Sequence, residues 1–268
     1  MRFAQGLGDT RTEWALAIRS AHECFKLQHV NGKGQSLMIM FSGTHWVVLV
    51  VTCLLCIAMP MIVRRRPDKA DIIRRTLAWT LIVNIIVYQS YRIAAGYWSA
   101  STDLPMHLCA WANVVTALAL LTRKPLFAEI AWCWVMTGSV NALITPQLDN
   151  PFPEVPFIYF VIGHTGLITA VCTIVFGYGI RPRPGAWLRV MAASQLYFLS
   201  AIAVNAITNA NYGFLDPTDP FRNQTALAAF PNDGIWFYVT FEVVGAILFA
   251  LVLLPFRYES RSNAPGDW

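Results

Sequence analysis

FSGTHWVVLVVTCLLCIAMPMIV, Phe41 to Val63, contains no Asp, Glu, Lys or Arg. A helix needs ~20 such residues to cross ~30 Å of hydrocarbon, whereas a barrel strand is ~10 residues long and alternates in polarity. Continuous apolarity over this length predicts a transmembrane α-helix. Six further runs follow, at Thr76 to Trp98, Leu104 to Leu121, Leu126 to Thr145, Pro156 to Ile180, Trp187 to Thr208 and Ile235 to Pro255. The expected fold is all-α, a bundle of seven transmembrane helices.

Hydrophobic residues make up 56% of the 268-residue chain and charged residues 13%, which excludes an ordinary soluble domain. The formal net charge of +5 comes from short basic clusters between apolar runs, so it reports topology and implies no nucleic-acid partner. Arg64, Arg65, Arg66, Lys69, Arg74 and Arg75 fall in the first connection, Arg123 and Lys124 in the third, Arg181, Arg183 and Arg189 in the fifth, and Arg257 and Arg261 in the tail. The connections after spans two and four carry no Lys or Arg, and the one after span six has only Arg222. This alternation predicts a cell-membrane protein with its N-terminus outside and its C-terminus in the cytoplasm. Tyr97, Trp98, Tyr212 and Trp236 mark the expected outer boundary. Residues 1–40 read as a polar, basic leader with a weakly amphipathic Trp14 to Leu27, or as an over-extended start with Met38 or Met40 opening the native protein. Residues 41–256 form the membrane domain and 257–268 the cytoplasmic tail.

The six cysteines (Cys24, Cys53, Cys56, Cys109, Cys133 and Cys172) are scattered and fall mostly inside apolar runs, where a thiol acts as a small hydrophobe. No disulfide framework follows. Cys53 and Cys56 form a C-x-x-C without the βαβ context of a redox motif, so packing is the reading. No internal repeat supports an inverted-repeat transporter.

Sorted by expected depth, the polar side chains converge. His45 lies one turn into span one, Gln89 and Arg92 near the outer end of span two, and His107, Cys109 and Asn113 at the outer end of span three. Asn141 and Thr145 close span four, His164 lies two turns into span five, Asn205 and Asn209 end span six, and Glu242 lies two turns into span seven. An ionisable group at such depth costs at least ~2 kcal/mol unless it is paired or faces water, so a shared pocket near the outer leaflet is expected. Each residue also has a plainer role. The four asparagines serve equally as interhelical glue, Arg92 as a snorkelling cation or the partner of Glu242, and His45 as an interfacial ring. His107 and His164 are the strongest functional candidates, because imidazole cannot snorkel far and carries protons near neutral pH.

The segment Asp103-Leu-Pro-Met-His-Leu-Cys109 opens span three. Asp103 and Pro105 suit a capped helix start, which directs the positive end of the helix toward Cys109. Residues two apart on a helix point to nearly opposite sides, so His107 is a poor base for Cys109 and His164 the better one.

Leu104-Pro-Met-His-Leu-Cys109, Asn141-Ala-Leu-Ile-Thr-Pro146, Gly163-His164 and Asn209-Ala-Asn-Tyr-Gly213 together resemble the YwaF family of bacterial seven-helix membrane proteins, over roughly Phe41 to Pro255. That family resembles, distantly, a eukaryotic TMEM-type family of ether-phospholipid acyltransferases that uses a cysteine and a histidine within the membrane. The resemblance implies that His107 and His164 match the family's pair of motif histidines. The nucleophile of the eukaryotic pattern directly precedes the first histidine, and that position here is Met106, so Cys109 is a separate candidate and not an inherited one.

Two function classes follow. The first is a lipid acyltransferase or acyl hydrolase, with Cys109 as nucleophile, His164 or His107 as base, and Asn141 or Asn205 at the oxyanion. The second is a carrier, channel or receptor-like protein that binds a lipid or small molecule in the same polar layer. A retinal Schiff base is excluded because the last span has no lysine. His45, His107, His164 and Glu242 include zinc-ligand types but form no short-spaced pair, so no metal or other cofactor is assigned. Membrane lipids are the expected partners.

Overall fold

In the computed structural model, residues 42–146, 148, 150, 152–219 and 226–259 are described. The leader, its Trp14 to Leu27 stretch, Met38, Met40, Cys24, Arg222 and the tail from residue 260 lie outside them. Seven α-helices stand among the described residues: α1 Gly43–Arg65, α2 Pro67–Ala94, α3 Leu108–Thr122, α4 Pro125–Ile144, α5 Val155–Gly177, α6 Ala186–Thr208 and α7 Gly234–Glu259. Five of them, α1, α4, α5, α6 and α7, are long and apolar enough to cross a membrane. The protein is a multi-helix membrane protein.

The other two differ from the expected pattern for physical reasons. Pro67 at the first position starts α2 nine residues before the expected span, because a proline there gives up only an N–H that has no helical acceptor. The far half of α2 is diluted by Asn84, Gln89 and Arg92, each of which is paired. Asn84 donates to the Tyr159 carbonyl at 3.1 Å, and Gln89 and Arg92 both bind Asp103. Helix α3 starts at Leu108 and not at Leu104. Its 15 residues span only ~22 Å. The missing turn is replaced by irregular backbone from 95 to 107, which is tolerable at depth only where protein covers it.

The core lies along α3, α4 and α5. Fifty-six percent of the most apolar window of α4 and of α5 is buried, against 17% for α1, α6 and α7. The outer helices present Leu54, Ile57, Leu199, Ile207, Val243 and Ile247 outward, an apolar belt suited to lipid. Helix α3 packs on α2, α4 and α5, and α5 also packs on α1 and α2. Small residues permit these approaches. A Cβ on Gly166 would lie 3.1 Å from Leu81, and one on Gly177 3.2 Å from the Pro60 backbone. Arg74, read from sequence as a topology marker, is buried and donates to the Leu120 and Leu121 carbonyls at 2.5 and 3.1 Å. It caps the last turn of α3, whose C-cap Arg123 is left-handed.

A second charged cluster ties the same end of the bundle. Glu129, fully buried in the first turns of α4, accepts from the Arg183 backbone and Nε at 3.1 and 2.8 Å, and from Arg189 Nε and Nη2 at 2.8 and 3.0 Å. One carboxylate thus joins α4 to the α5–α6 connection and to α6.

Candidate functional site

At the opposite end, the irregular segment before α3 is held by a dense set of bonds to Asp103. Its carboxylate accepts from Arg92 Nε at 2.5 Å and Nη2 at 3.0 Å, from the Ser99 amide at 2.9 Å and from the Thr102 hydroxyl at 2.7 Å. Its carbonyl accepts from Gln89 at 2.6 Å. The expected capping role of Asp103 is therefore replaced: the N-cap of α3 is His107, which makes no side-chain cap bond. The expected Arg92–Glu242 pair is replaced as well, since Arg92 takes Asp103 and Glu242 accepts from Gln195 on α6 at 2.5 Å. Asp103 lies only eleven positions from Arg92, so closing that loop costs less order than bringing in α7.

Burial pushes the Asp103 carboxyl up, but Arg92, the Thr102 hydroxyl and the Ser99 amide together hold it below its ordinary range. A depressed carboxylate contributes stability that is complete above its unfolded value near ~4 and is lost as pH falls below that toward the folded value. Asp103→Asn is expected to flatten this acid limb and to lower the unfolding midpoint at neutral pH. Differential scanning fluorimetry from about pH 3 to about pH 7 measures both.

The two imidazoles have different partners. His107 accepts at Nδ1 from the Gly213 amide at 3.4 Å, and its ring lies 5.2 Å from Tyr212 and 5.4 Å from Phe214. It thus meets the short 3-10 turn Tyr212–Phe214 between α6 and α7. Tyr212 is buried, and its hydroxyl donates to the Ala100 carbonyl at 2.8 Å and accepts from the Leu104 amide at 2.9 Å. Asn205, at the end of α6, clamps Tyr212 by both backbone groups at 2.8 and 2.9 Å. Asn209 is the left-handed C-cap of α6, a conformation asparagine tolerates. The Asn205 side chain is thereby closed on Tyr212 and not free for an oxyanion in this arrangement.

Cys109 turns to the other side of α3. Its thiol is within hydrogen-bonding reach of His164 on α5 and accepts from Ser139 Oγ at 3.9 Å. His164 Nδ1 lies 2.9 Å from the Phe160 carbonyl one turn earlier. A carbonyl can only accept, so Nδ1 carries the proton and Nε2 is the unprotonated nitrogen left for the thiol. Ser139 ends a π-helical turn, Val135–Ser139, inside α4. Such a turn rotates the following residues out of α-helical register and often lies at functional sites. Neighbouring Gly138 lets the start of α3 close in, since a Cβ there would lie 3.3 Å from Leu108.

The remaining expected pocket residues are placed as follows. Asn113 donates to the Cys109 carbonyl at 2.8 Å, and its Oδ1 is buried with no partner among the described residues. His45 is buried, with Nε2 2.9 Å from the Leu143 carbonyl, which joins α1 to α4. Asn141 is exposed and its carbonyl accepts from Thr145 at 2.9 Å. Among the described residues no group of three or more His, Cys, Asp or Glu is placed to hold a metal. A cavity of about 360 Å³ lined by Pro182 to Leu188, Leu253 and Phe256 opens at the other end of α6, away from Cys109.

Sequence reasoning missed Ser139 and Tyr197. Tyr197, on α6, puts its hydroxyl over Gly213, where a Cβ would fall 2.7 Å from it. Gly213 also holds φ +74, so Gly213→Ala combines a clash with backbone strain. It is expected to cost about 2 kcal/mol, read as a fall in the thermal unfolding midpoint, with loosening of the His107 contact.

No curated protein and no solved structure matches the chain. The model of the TMEM164 family matches residues 40–253. That match takes in α1 to α6 and most of α7, with Cys109, His107 and His164 inside it, and the chain belongs to the TMEM164 family.

Proposed function

We propose that the protein is a multi-pass membrane acyltransferase or acyl hydrolase acting on lipid acyl chains, with Cys109 as nucleophile and His164 as general base. The observation that carries the reading is the contact between a thiol and an imidazole whose other nitrogen is held by a backbone carbonyl. Nucleophile, base and orienting acceptor in sequence are the working parts of covalent acyl transfer. His164 takes the thiol proton, and Sγ attacks the carbonyl carbon of a lipid ester. The C–O bond breaks, and the leaving alcohol departs with the proton from His164. A second lipid hydroxyl, or water, then attacks the thioester. Its proton passes through His164 to the departing thiolate, which restores the pair. His107, bonded to Gly213, holds the start of α3 against the 212–214 turn and takes no part in proton transfer to Cys109.

All seven helices cross the bilayer in this reading, with the N-terminus outside and the C-terminus in the cytoplasm, supported by the alternation of basic connections. The motifs Leu104 to Cys109, Asn141 to Pro146 and Asn209 to Gly213 support a place in the bacterial YwaF branch. Cys109 then faces the outer half of the membrane, where a lipid ester can enter sideways.

The test is turnover by the full chain in vesicles of phosphatidylethanolamine and phosphatidylglycerol carrying a labelled acyl chain. Release or transfer of label that depends on His164 is the expected result. Saturable lipid binding without any bond breaking would instead make the protein a non-catalytic lipid or small-molecule carrier.

A further inference from the structure

Asn84 is the one polar residue between Leu81 and Val87 of α2, and an amide in such a run is costly unless it is bonded. It shares a face of α2 with Leu81 and Tyr88, at helical spacings of three and four. That face meets Tyr159, Gly163 and Gly166 of α5. A Cβ on Gly166 would lie 3.1 Å from Leu81 and one on Gly163 3.2 Å from Asn84 Nδ2, while the Tyr88 and Tyr159 rings stack at 3.8 Å with their planes 7° apart. Asn84 Nδ2 donates to the Tyr159 carbonyl at 3.1 Å. The helical partner of that carbonyl is the Gly163 amide, so Asn84 grips both ends of one turn of α5. Leucine would fill the place with no polar group to satisfy, so packing alone does not account for the amide.

Each gripped residue directly precedes a part of the imidazole's own support. Phe160 follows Tyr159, and its carbonyl lies 2.9 Å from His164 Nδ1 and its ring 4.1 Å from the imidazole. His164 itself follows Gly163. On its other side, the Thr165 hydroxyl lies 2.9 Å from that of Thr52 on α1, whose own proton goes to the Val48 carbonyl at 2.8 Å, so Thr165 is the donor. His164 is thus flanked by one bond to α2 and one to α1. Because Phe160 belongs to the same helix, it cannot aim the ring relative to α3; the rotation of α5 does that, at about 100° per residue. We infer that Asn84 is a positioning residue for His164, an interhelical bond that sets the rotation of α5 and so aims the imidazole at Cys109. This role presupposes that Cys109 and His164 act as nucleophile and base. Asn84 touches no substrate and moves no proton, but a displacement of about 1 Å between reacting groups can cost on the order of 100-fold in rate.

The test measures lipid acyl turnover by the full chain, in vesicles of phosphatidylethanolamine and phosphatidylglycerol carrying a labelled acyl chain. Asn84→Leu is expected to lower kcat about 30-fold with KM unchanged. Leu81→Ala, which empties part of the same contact, is expected to lower the thermal midpoint and leave kcat within about twofold of wild type. In the His164→Ala background, Asn84→Leu is expected to change kcat by no more than about twofold, because nothing is left to aim. Asn84→Ala repeats each comparison should Asn84→Leu fail to fold. A wild-type kcat in the Asn84 variants would overturn the role and leave the pair intact. An equal loss of kcat in Leu81→Ala, or the full loss repeated on top of His164→Ala, would also overturn it, by showing that Asn84 serves the packing of the bundle and not the imidazole. Wild-type turnover that is absent, or undiminished in His164→Ala, would remove the underlying reading itself.

Discussion

Replacing His164 by alanine is expected to lower lipid acyl turnover by about 10³-fold, and Cys109→Ser by at least as much. The two losses should not multiply in the double variant. A base that acts only on one nucleophile has nothing left to do once that nucleophile is gone. The geometry distinguishes His164 from His107 in the same experiment. His107 Nδ1 already accepts from Gly213 and its ring lies among Tyr212 and Phe214, so His107→Ala is expected to act on the seating of the 212–214 turn. The predicted pattern is a fall in thermal midpoint with a smaller loss of turnover for His107→Ala, and the reverse for His164→Ala. Steady-state rates and unfolding curves of the three variants, recorded in one lipid, are the measurement. A His107 variant that loses as much turnover as His164→Ala at unchanged stability would exchange the two roles.

The second large effect lies at the other end of the bundle and concerns folding. Removing a cation from Glu129 leaves a fully buried carboxylate short of partners, whereas removing Glu129 frees two arginines that can reach water. The Arg183 and Arg189 side chains are 49% and 34% exposed, while that of Glu129 is 0%. Breaking a buried pair from the charged side that cannot escape costs about 3 kcal/mol or more. Arg189→Ala is therefore expected to lower the thermal midpoint by roughly 10 °C and to cost more than Glu129→Ala. Glu129→Gln in the Arg189→Ala background should restore part of the loss by removing the stranded charge. These three midpoints, compared in detergent with wild type, decide the matter. No recovery in the double variant would mean that shape and not charge is what the cluster supplies.

Much of the bundle was legible because lipid imposes a simple rule: a helix that faces hydrocarbon must be apolar for its whole length. A helix stands among the described residues at each of the seven runs, five of them long and apolar enough to cross a membrane, and the TMEM-type half of the resemblance agrees with the family match. The rule failed at the start of α3, where Leu104, Pro105 and Met106 are apolar enough to extend the run although their backbone is irregular. The Leu104 amide goes to the Tyr212 hydroxyl and the Met106 amide to the Leu104 carbonyl, while Gln89 and Asp103 tie down the residues just before them, side chains whose partners no periodicity reveals. Partner choice was the general blind spot. Arg92 was matched with Glu242 by depth, but the nearer Asp103 takes it. Glu129 lies between basic connections, and nothing in its sequence neighbourhood points to Arg183 and Arg189 as its partners.

The site was legible in its rarest residues and not in its commonest. His107, Cys109 and His164 stand out because imidazole, or a thiol beside a helix start, has little reason to lie in an apolar run. Ser139 and Tyr197 do not, since serine and tyrosine abound in membrane helices. A π turn that redirects one hydroxyl and an aromatic ring whose end is seated over Gly213 are properties of packing. The sequence holds a faint cue in Gly138-Ser139 and in Asn209-Ala-Asn-Tyr-Gly213, where small or turn-forming residues interrupt the apolar pattern.

The most direct measurement is the intact mass of the purified protein, quenched in acid during incubation with acyl-labelled phospholipid vesicles. The account predicts one added acyl chain, mapped by peptide fragmentation to Cys109, discharged by neutral hydroxylamine and missing from Cys109→Ser. An unmodified wild-type chain during proven turnover, or an adduct that survives in Cys109→Ser, would contradict it.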